Sequence, residues 1–427
     1  MLIRRIAVPV AGALLLGLAP PLAQGAEARE ATWHSRLIAD FREAHRTTRG
    51  RGVKIALLSD GAAPGVRTLG GALEKGKDLV GTPRPKHVAG TLIASAIVGS
   101  GPTADAPLGV RGLASGATLI PVRVYVNRKE PGFARWWDRT DLGEIIAKGI
   151  RHAADQGARV IAVEPYDYDS GYRSQIQAAV AHAQRRGALV VALAGKRDED
   201  AGALPAAVPG VLGVGTVTAK GRRDRKETDA SNSVLLAAPG TKTISTGPKN
   251  VTYEFWGGAV ALTWATAAAA LVRSEYPGLT PGQVVEALTS SARHPKGKGR
   301  YDTDLGHGYV NPAGALKAAR EISERPAPAP VPDAVRAKAL FGAERPDTIR
   351  AVPYDPAILG GFGALALAGL AAVLCAGWLA LRRLRAGRPM APAGMPAAAP
   401  APTSAGMPAP VAAPAPERPE SAGESGS

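Results

Sequence analysis

Short, mostly apolar runs alternate with helical patterns through residues 53–217, and that alternation limits the fold more than any other feature of the chain. Residues 53–58, 117–124, 158–163, 188–194 and 211–217 are strand-like. Between them lie a small-residue helix at 87–98 and helices at 142–156 and 176–186. Gly157 and Gly187 follow the last two, where a residue free to turn left-handed closes a helix. Strands apolar on both sides cannot face water on either, so they belong in a parallel sheet covered by helices on both faces. The pattern predicts an α/β sandwich and leaves its function open.

The ends of the chain carry different signals. Met1-Leu2-Ile3-Arg4-Arg5 precedes an uncharged stretch at 6–22 and small residues at 23–28, as in a secretory signal peptide, here placed at 1–25. An uncleaved anchor is the alternative, opposed by Pro9, Pro20 and Pro21. Residues 26–50 form an N-terminal extension. Residues 357–381 carry no charge; as a helix they would span roughly 37 Å, enough to cross a bilayer. Arg382, Arg383, Arg385 and Arg388 follow and orient the tail to the cytoplasm, with the main domain outside. A buried core helix is the other reading, but nothing after it could cover it. Residues 321–356 are a Pro-rich spacer, and 382–427 are too poor in large apolar residues to build a core.

The chain has 427 residues and a net charge of +16, which invites nucleic acid or an anionic surface as partner. The charge is scattered. Its densest runs are Lys220-Gly221-Arg222-Arg223-Asp224-Arg225-Lys226 and Arg293-His294-Pro295-Lys296-Gly297-Lys298-Gly299-Arg300. Both read as solvated loops, with anionic lipid, a wall polymer or an acidic partner as alternatives. No nucleic-acid-binding motif accompanies them, so none is expected as partner. The single cysteine, Cys375, leaves no internal disulfide, thiol catalysis or cysteine zinc site. No helix has metal-ligand spacing and no glycine-rich turn cradles phosphate, so neither metal nor cofactor is expected.

Several stretches carry a resemblance. They are the run from Val110-Arg111-Gly112-Leu113 to Pro121-Val122-Arg123-Val124, Ala230-Ser231-Asn232 with Ala237-Ala238-Pro239-Gly240, Tyr276-Pro277-Gly278-Leu279-Thr280, and Gly306-His307-Gly308-Tyr309-Val310-Asn311-Pro312. In this order they resemble the subtilase family, and within it the mycosins, the membrane-anchored subtilases of type VII secretion. The resemblance implies a subtilisin-like three-layer sandwich over 51–320, and the layout of leader, domain, spacer, single span and tail agrees with it.

It also marks four positions where the family's catalytic residues are expected. Ser59 stands for the aspartate, Arg84 for the histidine at the opening of a helix, Lys196 for the oxyanion-hole asparagine and Ala259 for the nucleophilic serine. A serine protease needs a nucleophile, a base, a carboxylate to orient the base and donors for the oxyanion. Ala259 has no nucleophile, Arg84 stays protonated, and Ser59 carries no charge. Loss of the serine alone costs turnover about 10⁶-fold in subtilisin. Where a peptide substrate would pair as an added strand, the chain reads Val163-Glu164-Pro165-Tyr166, and proline removes a donor from that edge. The expectation is a non-catalytic scaffold or binding subunit, partnered by type VII secretion membrane components or a catalytic paralogue. The alternatives are an active endopeptidase using relocated Asp60, His87 and Thr263, and a peptide- or wall-binding module using the basic loops.

Overall fold

The computed structural model describes residues 3–5, 24–102, 107, 109–138, 140–164, 170–196, 203–326 and 356–386. The chain divides into two compact units, residues 1–328 and 329–427.

The first unit is built on a seven-stranded, all-parallel sheet: β2 (Lys54–Ser59), β3 (Lys77–Asp78), β4 (Thr118–Arg123), β5 (Val160–Val163), β6 (Leu189–Leu193), β7 (Leu212–Val217) and β8 (Leu236–Pro239). Their spatial order is β3-β4-β2-β5-β6-β7-β8. Successive strand side chains point to opposite faces, and both faces are filled. Ile55, Leu57, Val160, Ala162, Leu189 and Val191 turn to one core, while Ala56, Leu58, Ile161, Val163, Val190 and Ala192 turn to the other. This double burial is why the strands read as unbroken apolar runs. On the first face lie α2 (Val88–Val98), α6 (Gly258–Glu275), α7 (Pro281–Ser290) and α8 (Pro312–Ser323); on the second lie α4 (Leu142–Asp155) and α5 (Arg173–Arg185). A three-layer sandwich results. Helix α6 is buried from Gly258 through Arg273, as befits a helix apolar all round.

Several elements were not foreseen. Helix α1 (Gln24–Thr47) docks Leu37, Phe41 and Ala44 into the α6 layer; Phe41 meets Trp264 edge to face at 5.1 Å, and Asp40 takes a two-pronged ion pair from Arg293 at 2.5 and 3.0 Å. A hairpin, β9 (Thr243–Thr246) and β10 (Thr252–Phe255), is extended antiparallel by β1 (Ile3–Arg5). A short helix, α3 (Phe133–Trp137), follows β4.

The second unit contributes α9 (Pro356–Ala386). Residues Gly361–Arg383 are long and apolar enough to cross a membrane, and their side chains are exposed throughout. Residues 1–2 and 6–23 of the leader expected at 1–25, most of the spacer and the tail beyond 386 lie outside the described residues.

Candidate functional site

Ser59 ends β2, fully buried, and its hydroxyl oxygen accepts a hydrogen bond from the Gly61 amide at 3.2 Å. Helix α2 sits directly on it. A methyl group on Gly90 would lie 2.0 Å from the Gly61 carbonyl and 2.2 Å from Ser59 Oγ, so only glycine permits this approach.

The helix does not open at Arg84. It begins at Val88, with His87 as its cap; Arg84 (φ +53°) and His87 (φ +52°) both lie in the left-handed region, and Arg84 is exposed. Two contacts explain the late start. The Lys86 amide is taken by the Glu130 carboxylate at 2.9 Å. The Asp60 carboxylate then accepts from the amides of Ala89 (3.1 Å) and Gly90 (2.6 Å). Asp60 thus satisfies donors that a helix's first turn leaves open and meets the positive end of the helix dipole. His87 Nδ1 lies 2.6 Å from the Asp60 carbonyl. A carbonyl only accepts, so Nδ1 carries the proton. The imidazole is bound to the Asp60 backbone and not to its carboxylate.

Ala259 lies in the first turn of α6, 3% exposed. Here too a distant carboxylate meets the helix start: Glu227 Oε2 accepts from the Gly258 amide at 3.0 Å. Gly257 (φ +88°) has no room for a side chain, because a methyl would come within 2.9 Å of the Glu227 carboxylate. Gly258 packs on Leu193 at the end of β6, three residues before Lys196, which is exposed. Thr263 is buried, and its hydroxyl donates to the Ala259 carbonyl at 2.9 Å. Asp60, His87 and Thr263 are therefore bonded to backbone groups. Among the described residues they form no relay of hydroxyl, imidazole and carboxylate.

The electrostatics follow from this crowding. Burial pushes Asp60 up to about 6 against the opposing pull of the Gly90 and Ala89 amides. Burial pushes the half-buried Glu164 up to about 7; its bond to Tyr125 opposes the rise, and Asp60 and Glu227 add to it. The Tyr125 hydroxyl is driven well above its ordinary value by burial, with Glu164, Asp60 and Glu130 adding. Carboxylates gather here, and among the described residues none of Asp60, Glu130, Glu164 and Glu227 is hydrogen-bonded to an imidazole. Tyr125, Glu130 and Glu227 were not foreseen, because each acts through tertiary contact. A cavity of about 480 Å³ opens beside Glu164, lined by Tyr125, Phe133, Trp136, Trp137 and Leu142. Pro165 and Tyr166, the rest of the expected substrate edge, lie outside the described residues.

Comparison with known proteins agrees with this architecture. A model of the subtilase family of peptidases matches residues 50–309. Mycosin-1 of Mycolicibacterium smegmatis is 29% identical over 396 residues, covering 81% of this chain and 83% of that one. The solved structure of the MycP3 protease from the type VII (ESX-3) secretion system is 28% identical, covers 65% of this chain and 85% of that one, and superposes with a TM-score of 0.54. A structure of the periplasmic assembly from the ESX-5 inner membrane complex contains a chain that is 25% identical with a TM-score of 0.54, covering 73% of this chain and 87% of that one.

Proposed function

The chain belongs to the subtilase family, with a mycosin-like fold tied to type VII secretion, and from that premise we propose that it binds and does not cut. One observation carries the reading. At the two helix starts where the family's histidine and serine are expected, the chain presents a left-handed bend and an alanine, and a carboxylate occupies each start, Asp60 on α2 and Glu227 on α6. Ala259 has no oxygen with which to attack, and no hydroxyl among the described residues is bonded to an imidazole.

On this reading the protein is a membrane-anchored scaffold or binding subunit. Its partners are membrane components of a type VII secretion system or a catalytic paralogue. The support is the likeness to mycosin-1 along four-fifths of the chain and to a chain of an assembly solved from an inner membrane complex. Helix α9 anchors it once, and Arg382 and Arg383 at its end favour a cytoplasmic tail and an extracytoplasmic main domain.

A fluorophosphonate probe tests the inert centre: the purified full chain should remain unlabelled. The variant carrying Ser59→Asp, Arg84→His, Lys196→Asn and Ala259→Ser should also fail to hydrolyse a peptide substrate, because Asp60 and Glu227 still hold the two helix starts. Labelling of the unaltered chain at any serine or threonine would overturn the proposal. Cross-linking in cells tests the partner, and capture of no secretion component would count against the scaffold role.

A further inference from the structure

The two basic runs, read separately as solvated loops, lie against each other in the folded domain. Residues 218–226 leave the end of β7 and turn back, with Arg223 bridging to Val217. Residues 293–300 leave the end of α7. Together they wall a cleft of about 710 Å³ whose floor includes Leu305 and Tyr309.

Tyr309 joins the two walls. Its hydroxyl donates to the Gly221 carbonyl at 2.5 Å, and its backbone pairs with Arg293 through two bonds of 3.0 Å. Trp33 of α1 stacks on the Tyr309 ring at 4.9 Å and donates its indole N–H to the Ala219 carbonyl at 2.6 Å. The cleft is therefore held in shape from beneath rather than left to loose loops.

The charges within it divide into two kinds. Some are already matched to carboxylates of the chain: Arg223 with Asp304 at 2.5 Å, and Lys296 with Asp302 at 2.8 Å. These pairs show that the walls accept carboxylates in close geometry. Others have no partner: Arg222 and Arg225, which line the cleft, are exposed and make no ion pair or side-chain hydrogen bond among the described residues. Lys298, on the same basic run as Lys296, lines a second cleft of about 630 Å³ with Arg36 and Lys317. An excess of cations along a pre-shaped, partly apolar cleft fits an extended, carboxylate-rich chain, whose acids would meet the rim while its backbone lies over Leu305 and Tyr309. Guanidinium forks suit carboxylates particularly well.

We propose that this cleft docks an acidic polypeptide segment of a partner protein. It shares no residue with the substituted centre, so it stands or falls independently of that centre's chemistry.

The test uses the purified full chain in detergent and a short fluorescein-labelled poly-glutamate peptide, followed by anisotropy at near-physiological salt. The unaltered protein should bind the peptide, and binding should weaken as salt rises. Arg222→Glu with Arg225→Glu should weaken it about tenfold or more. Arg185→Glu with Lys249→Glu makes the same change in net charge at exposed positions outside the cleft and should leave affinity within about twofold. The glutamine version of the cleft variant should show an intermediate loss, which guards against a charge reversal that disturbs folding. Failure of the unaltered chain to bind overturns the proposal. So does an equal loss in the control variant, which would mean attraction to net charge alone. Tighter binding to phosphatidylglycerol vesicles or to single-stranded DNA, with the same dependence on Arg222 and Arg225, would reassign the cleft to a lipid surface or a nucleic acid and overturn it as well.

Discussion

Asp60, one residue past the expected aspartate position Ser59, shows how a carboxylate can serve a helix start structurally. The residue is 1% exposed and caps α2, and its carboxyl is raised from 3.8 to about 6. A raised folded-state value means the folded protein holds the proton more tightly than the unfolded chain. The resulting stability is full below about pH 4 and is lost as pH rises through 6, by about 3 kcal/mol. In urea titrations the stability of the unaltered protein relative to Asp60→Asn should therefore fall between pH 4 and 7; a difference that stays flat with pH would show that Asp60 does not bury an acid proton. Glu164 should add a loss of the same sign toward pH 7. The sequence reading gave Asp60 a small chance as a relocated catalytic group. Its actual partners lie about 30 residues on, and no local pattern records that. Glu227 was missed for the same reason, since the amide it meets is 31 residues away. Ser59, Arg84, Lys196 and Ala259 were singled out by contrast from the resemblance alone, which needs no geometry.

At the scale of elements, the strands were the most readable part. Their doubly buried positions are filled mostly by apolar residues, and the expected runs match β2, β4, β5, β6 and β7 to within two residues. The helix stops at Gly157 and Gly187 also match, both glycines having positive φ. The helix expected at 87–98 matches α2 to within one residue, but Arg84, expected at its opening, lies before it, where the Glu130 carboxylate takes the Lys86 amide and Asp60 caps the first turn. Helix α1 was missed although its signal was present: Leu37, Phe41 and Ala44 recur at helical spacing and face the core. This helix is integral to the domain. Phe41→Ala should cost about 3 kcal/mol in denaturant unfolding, whereas Glu43→Ala, exposed on the same helix, should cost close to nothing. Equal, small effects would mean that α1 docks only loosely.

At the scale of the whole molecule, the chain pairs an enzyme-family sandwich with an apolar helix. Cys375, the chain's one cysteine, lies in α9, and this gives a direct test of the span. In sealed vesicles a membrane-impermeant maleimide should leave it unmodified, and labelling should appear once the vesicles are dissolved in a denaturing detergent; ready labelling of intact vesicles would remove α9 from the bilayer. The Trp33 indole adds a last consequence. It tethers the carbonyl of Ala219 from 186 residues away in sequence, so the amino-terminal helix and the arginine-bearing turn are mechanically coupled. Anything that peels that helix away slackens one jaw of the cleft without altering a single charge, and a guest gripped by the jaw would in turn hold the helix down.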